Sequence, residues 1–226
     1  IGPALLAGNT LVFKPASETP LTNLKIARLM EASGLPPGVL NIVTGRGDPV
    51  GEAIARHPLI SKVSFTGDAL TGDRVRELAT SSLKEVVLEL GGSDPMIVWS
   101  DADIEKAVTG AIRGRFYNAG QTCTAVKRLY VHEHIASAFI EKLADRAASL
   151  KVGDGMDSSV DMGPLAGKEQ KKRITDLVDT IDRKGEGTII TGGTPPEGPE
   201  YEKGFYFSPT IVTEPHPDSA ILSKEV

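Results

Sequence analysis

Ile60-Ser-Lys-Val-Ser-Phe65-Thr-Gly67-Asp-Ala-Leu-Thr-Gly72-Asp-Arg-Val-Arg-Glu-Leu-Ala79, followed by Val86-Val-Leu-Glu89-Leu90, decides the fold. Ile60 to Phe65 is a short apolar-rich run of strand length. Gly67 is a turn, Asp68 to Ala79 carries helical spacing, and Val86 to Leu90 is a second strand. Two strands joined through a helix are too far apart for a hairpin, so they pair in parallel through a crossover. Toward the N-terminus the same grammar repeats. Thr10 to Lys14 is a strand closed by Lys14-Pro-Ala-Ser-Glu-Thr-Pro20. Thr19 is expected to cap a helix that begins at Pro20, carries Leu21, Leu24, Ala27 and Met30 on one face and ends at Gly34. Val39 to Val43 is a further strand, and the glycine turn Gly45 to Gly51 opens a short helix toward His57. Strand alternating with helix in this way predicts an α/β fold with a parallel sheet covered on both faces.

Past Gly91-Gly92 the pattern starts afresh. Strand Pro95 to Trp99, helix Asp103 to Tyr117, strand Arg128 to His132 and a long helix from Ile135 to Leu150 lead into a Gly- and Asp-rich loop, Gly153 to Pro164. A charged helix, Lys168 to Lys184, a strand, Thr188 to Thr191, a Gly/Pro-rich loop to Gly204 and a last strand, Phe205 to Val212, follow. The simplest organisation is two consecutive α/β domains, residues 1–91 and 92–226, without a repeat of fixed period.

The 226 residues are 40% hydrophobic and 24% charged, with 24 Gly and 15 Pro. A chain of this length buries roughly 70% of the surface its unfolded form exposes, so its core needs no disulfide or metal staple. Its 25 basic and 30 acidic side chains leave a net charge of −5 and are interspersed rather than blocked, which argues against the basic stripe of a nucleic-acid binder. No run approaches the roughly 20 apolar residues of a membrane-spanning helix. The single cysteine, Cys123, cannot form an internal disulfide and points to a reducing, cytoplasmic setting.

Several motifs carry chemistry, each beside a plainer reading. Gly45-x-Gly47-x-x-x-Gly51 sits between a strand and a helix, where a dinucleotide fingerprint belongs, but has three residues instead of two before its last glycine. Phe65-Thr66-Gly67-Asp68-Ala-Leu-Thr-Gly72 joins a strand to a helix N-terminus, whose free N–H groups favour anions; alternatively Asp68 is the N-cap of an ordinary helix. Glu89 ends an apolar strand at the edge where ligands of parallel sheets gather. Partial burial there would raise its pKa toward the range of a general base, whereas a strand-end Glu pointing to solvent has no such role. In Asn118-Ala-Gly-Gln-Thr-Cys123-Thr the cysteine has polar neighbours, unlike a structural core cysteine, and is a candidate nucleophile. His132-x-His134 has no third or fourth ligand nearby, so no metal site is expected.

Taken in order, Lys14-Pro-Ala-Ser-Glu-Thr-Pro20, Pro36-Pro-Gly-Val-Leu-Asn-Ile-Val43, Phe65-Thr-Gly67, Leu88-Glu-Leu-Gly-Gly92, Asn118-Ala-Gly-Gln-Thr-Cys123 and Ser223-Lys-Glu225 resemble the aldehyde dehydrogenase superfamily along essentially the whole chain. The resemblance implies a parallel-sheet, Rossmann-like cofactor domain followed by a second α/β catalytic domain. It implies NAD- or NADP-dependent oxidation of a small aldehyde or semialdehyde to the carboxylate. Cys123 matches the family nucleophile and Glu89 its general base. Lys14 matches a lysine at the adenosine ribose, Gly67 to Gly72 the pyrophosphate segment, and Leu90 the residue whose backbone meets the nicotinamide. With their neighbours, the cofactor positions so implied are Lys14, Pro15, Ala16, Ser17, Phe65, Thr66, Gly67, Asp68, Gly72, Leu90 and Gly91.

Three departures stand out. Asp68 replaces a common Ser and puts a carboxylate beside the pyrophosphate. Ser17 stands where many members preferring NAD carry Glu. Ser93-Asp94-Pro95 replaces a frequent Lys-Ser-Pro and resembles semialdehyde dehydrogenase relatives. A cofactor-binding or assembly protein without turnover and a CoA-acylating relative are the competing readings. The chain opens on Ile1 without an initiator Met or signal sequence. The resemblance places family segments both before Ile1 and beyond Val226, and so implies the central portion of a longer enzyme, expected to be inactive and poorly soluble when expressed alone and homodimeric or homotetrameric when complete.

Overall fold

The computed structural model describes residues 1–80 and 82–226. The chain divides into two compact units, Ile1–Leu90 and Gly91–Val226. In the first, helix α1 (Gly2–Leu6) precedes strand β1 (Leu11–Phe13), helix α2 (Leu21–Ala32) and strand β2 (Leu40–Ile42). A wide helical turn, Gly47–Gly51, leads into α3 (Glu52–Arg56), then β3 (Lys62–Gly67), α4 (Ala69–Thr80) and β4 (Glu85–Leu90). β1 pairs with β2, and β3 with β4, both in parallel, as helical crossovers require. Four details differ from the sequence reading. Pro3 lies in the first turn of α1, a helix without a periodic signal of its own. Pro20, not Thr19, occupies the N-cap of α2, with no side-chain cap bond. Leu24, Ala27 and Met30 are half-buried but Leu21 is exposed. β4 alternates exposed and half-buried residues, so its cover lies on one face and Val87 is open on the other.

The second unit is built on β5 (Asp94–Val98) and β6 (Val126–Val131), again parallel. Helices α5 (Ile104–Phe116) and α6 (Glu133–Ala148) bury Val108, Ala111, Ile112, Phe139, Leu143 and Ala147 against Val98. Asp103 caps α5 by accepting from the Lys106 N–H at 3.1 Å. His132 caps α6 by accepting from the His134 N–H at 3.3 Å, which starts that helix earlier than its apolar pattern did. Asp94 pairs with Val126 and Pro95 with Arg128, leaving Lys127 as the extra residue of a β-bulge. Proline has no N–H to give a ladder, and a bulge beside one is a physical consequence.

Helix α7 (Lys168–Lys184) ends at Gly185 and buries Val178 against Leu165 and Phe207 in a second cluster. Strands β7 (Thr188–Thr191) and β8 (Ile211–Thr213) pair antiparallel, and the short helix α8 (Ala220–Ser223) follows. The expected strand Phe205 to Val212 is ladder-bonded only near its end. Phe205 O accepts from the Leu165 N–H and the Ser208 N–H donates to Thr194 O, so that stretch spends its polar groups elsewhere, and Pro209 has no donor. The segment between β7 and β8 holds no crossover helix, only a turn at Pro199–Tyr201, which is compatible with antiparallel and not parallel pairing. Among the described residues, no helix is long and apolar enough to cross a membrane.

Asp68 starts α4. Its carboxylate accepts from the Thr71 N–H at 2.9 Å and from the Thr71 hydroxyl at 2.7 Å, and these bonds, the hydroxyl foremost, hold its pKa below the usual aspartate value. A depressed carboxylate stabilises the fold fully above the unfolded pKa of about 3.9 and loses that contribution as pH falls through the lower folded value. Asp68→Ala is therefore expected to lose about 1 kcal/mol at pH 7, read from paired denaturation curves. The gap should close as the pH drops below about 4; a gap independent of pH would contradict the cap. In the core, Phe139 is fully buried, and Phe139→Ala should cost about 3–5 kcal/mol by the same measurement.

Candidate active site

Within the first unit, two groups of sequence-selected residues come together. Lys14, half-buried just past β1, donates from Nζ to Gly45 O at 3.0 Å and to Pro15 O at 2.9 Å. The exposed Ser17 hydroxyl donates to the same Gly45 carbonyl at 3.1 Å. Pro15 is buried and Ala16 exposed. The segment after β1 and the glycine turn after β2 thus meet at one polar corner, where the Lys14 ammonium and the Ser17 hydroxyl share the Gly45 carbonyl.

The second group lies at the C-terminal edge of β3 and β4, where Thr66 pairs with Glu89 and Gly67 with Leu90. A Cβ on Gly67 would stand 2.5 Å from the Phe65 ring, and one on the buried Gly72 would stand 2.5 Å from a Leu90 methyl. Only glycine lets the first turn of α4 approach the end of β4 so closely. Asp68 sits at the same edge and already holds the Thr71 N–H, one of the donors that an anion at this helix N-terminus would use. Glu89 is exposed, not partly buried as its strand-end position implied.

In the second unit, Cys123 is exposed in the segment after α5. A tight turn, Tyr117–Gly120, brings the chain there, with Asn118, Ala119 and Gly120 successively at φ 53°, 55° and 74°. Two non-glycine residues in left-handed conformation each cost about 1–2 kcal/mol, so the surroundings must hold them. Gln121 does so from both ends of its amide: Nε2 donates to Asn118 O at 3.0 Å, and Oε1 accepts from the Ala166 N–H at 2.7 Å. Ala119 packs on the Leu165, Val178 and Phe207 cluster. The motif Asn118 to Cys123 is therefore a braced turn presenting one thiol.

Other residues in this unit escaped the sequence reading. Arg115 is half-buried, burial pushes its pKa down, and it donates to Val226 O at 3.3 Å. Arg173 donates to Glu225 O, and the Glu225 carboxylate occupies the space where a Cβ on Gly91 would be. Arg128 donates twice to Ser93 O, at 2.7 and 3.0 Å. Lys127 donates to Cys123 O at 2.7 Å and reaches Thr122 O at 3.5 Å. Apart from the bonds of Lys127, these contacts join residues far apart in the chain and leave no local signal in the sequence. Among the described residues no cluster of three His, Cys, Asp or Glu is disposed to hold a metal ion, and His132 serves as a helix cap.

Comparison with known proteins adds the relatives. The aldehyde dehydrogenase family profile matches residues 1–226. A betaine aldehyde dehydrogenase of Bacillus subtilis is 41% identical over the whole chain, which covers 46% of that protein. A chloroplastic aminoaldehyde dehydrogenase of Arabidopsis thaliana is 41% identical, with 100% of this chain and 44% of that protein covered. Among solved structures, betaine aldehyde dehydrogenase of Staphylococcus aureus in complex with NAD+ superposes with a TM-score of 0.94 at 37% identity, covering 99% of this chain and 44% of that one. PnpE from Pseudomonas sp. WBC-3 gives 0.96 at 42% identity, covering 100% and 46%. The chain spans about half the length of the curated relatives it matches. With a profile matched from end to end and solved relatives of the same α/β architecture, the chain belongs to the aldehyde dehydrogenase family.

Proposed function

We propose that the protein carrying this chain is an NAD(P)-dependent aldehyde dehydrogenase that oxidises a small aldehyde or semialdehyde to the carboxylate. The observation that carries this reading is the braced turn ending at the exposed Cys123. The relatives support it: those from Bacillus subtilis and Arabidopsis thaliana are a betaine aldehyde and an aminoaldehyde dehydrogenase, and one Staphylococcus aureus structure holds NAD+ together with a BME-modified cysteine. On this reading residues 1–91 bind the cofactor and residues 92–226 carry the nucleophile, within a cytoplasmic homodimer or homotetramer.

The residues fit a dinucleotide in charge and space. Lys14 brings a cation and Ser17 a hydroxyl to one corner, and Gly67 and Gly72 add no side chain of their own at the edge of β3 and β4. Pro15, Ala16, Phe65, Thr66, Leu90 and Gly91 line the same segments. The Asp68 carboxylate opposes an anion there. When bound, NAD(P)+ supplies the hydride acceptor. The Cys123 thiolate adds to the aldehyde carbon and forms a thiohemiacetal, which oxidation converts to a thioester. Glu89 then takes a proton from water as it attacks the thioester, and the thiolate leaves. A thiolate suits both halves, being a strong nucleophile near neutral pH and a competent leaving group.

Cys123→Ser is expected to abolish aldehyde-dependent cofactor reduction while cofactor binding, read by fluorescence titration, persists; retained turnover would remove Cys123 from its role. Glu89→Gln should give a burst of reduced cofactor and then stall, with a steady-state rate lower by about 10²–10⁴. An unchanged steady rate in rapid-mixing experiments would contradict the general base. NADP should be accepted at least comparably to NAD. Neutral Ser17, beside Lys14, neither grips the ribose hydroxyls as a carboxylate does nor repels a 2′-phosphate. A strong preference for NAD in kcat/KM would show that Ser17 does not discriminate.

A further inference from the structure

From the bulge in β6 we infer that Lys127 is a positioning residue for the nucleophile, an inference that rests on Cys123 being that nucleophile. Asp94 pairs with Val126 and Pro95 with Arg128, so Lys127 has no partner opposite it in the ladder. Bulges re-aim a side chain, and this one turns the ammonium back along the chain onto Cys123 O at 2.7 Å, with a longer contact to Thr122 O at 3.5 Å. Those two carbonyls belong to the two peptides that flank the Cys123 Cα. Peptides are planar and rotate only about φ and ψ, so one cation holding both oxygens fixes both angles at Cys123. Backbone angles in turn set which side-chain rotamers are open, and so where the thiol can point.

One further bond ties these peptides. The Thr122 carbonyl also accepts from the Ala125 N–H at 3.0 Å, closing a turn. Among the described residues, however, neither the Cys123 nor the Thr124 N–H has a hydrogen-bond acceptor. A trans peptide directs its N–H opposite its C=O. With both oxygens turned to Lys127, both N–H groups face away from the ammonium, free to meet charge that develops on a substrate oxygen as the thiolate adds. The Gln121 bonds and the Ala119 packing brace the turn upstream, and Lys127 braces the Cys123 backbone itself from downstream. Pro95 contributes indirectly: lacking an N–H, it cannot draw Lys127 into the ladder.

The test uses the natural protein carrying this chain, with Lys127→Met, which keeps the apolar stem and deletes the donor, and Lys127→Arg, which keeps a donor. Lys127→Met should lower kcat by about 10- to 100-fold, as expected for misplaced reacting groups. The KM for cofactor should stay within about twofold, because uniform binding is untouched. Lys127→Arg should recover most of the lost kcat. Three results would overturn the inference: an unchanged kcat in Lys127→Met, equal losses in both variants, or a parallel loss of kcat and cofactor binding with a lowered melting temperature. Cys123→Ser, assayed alongside, keeps the two readings apart. If it is inactive while Lys127→Met is normal, only the role of Lys127 falls; if it turns over, the nucleophile assignment falls and this inference with it.

Discussion

Parallel pairing is the constraint on which the candidate site depends. Two parallel neighbours cannot be joined by a tight turn, so a helix must intervene, and both strands then end at the same edge. Between β3 and β4 that geometry sets Thr66 beside Glu89 and Gly67 beside Leu90, residues far apart in sequence. The crossover helix α4 begins at this edge too, which brings its N-terminus and Gly72 against Leu90. A side chain at Gly72 would collide with Leu90, so the glycine is a packing requirement before it is anything else. In the second unit the same rule joins β5 to β6 through α5, and the segment leaving α5 is the one that carries Cys123.

Much of this was legible because it is local. Helical and strand periods and Gly34 as a stop all act within a few residues of themselves, and the elements lie close to where those signals put them. What the residues alone could not decide was whether Asp68 is a cap or part of an anion site, since one spacing serves both; the bonds to Thr71 make it a cap. The strand expected at Phe205 to Val212 failed for a non-local reason. Its apolar composition suits a strand, but Leu165 and Thr194 take its backbone groups, and those partners are distant in sequence. Likewise Glu89 reads as a strand-end carboxylate whichever way it points, and its exposure depends on which face of β4 the helices cover.

The turn leading to Cys123 shows a different kind of dependence. Asn118 and Ala119 adopt left-handed angles that isolated residues of their kind avoid. Their conformation persists because Gln121 spans the turn and Ala119 is packed into an apolar cluster. The strain and its support sit beside the one exposed thiol among the described residues, and backbone strain of this kind persists only where its surroundings over-determine it. A polar neighbourhood around Cys123 was visible in the sequence, but the bracing was not, because Pro164 to Ala166 arrive from across a long loop.

Asp68 places two demands on one helix end. A helix N-terminus attracts anions because its first N–H groups lack partners and its dipole is positive there. A capping carboxylate satisfies one of those groups and adds a negative charge in the same place, so the features that stabilise α4 weaken it as a phosphate cradle. A serine would cap through its hydroxyl without the charge. The cation needed to offset Asp68 is not on α4 near its start, where Asp73 is the next charged residue. In the same unit Lys14 sits instead at the corner with Gly45, its ammonium already shared between two carbonyls. A dinucleotide taken up by this unit would therefore draw more on the Lys14 corner, and less on the α4 terminus, than one bound where serine begins the helix.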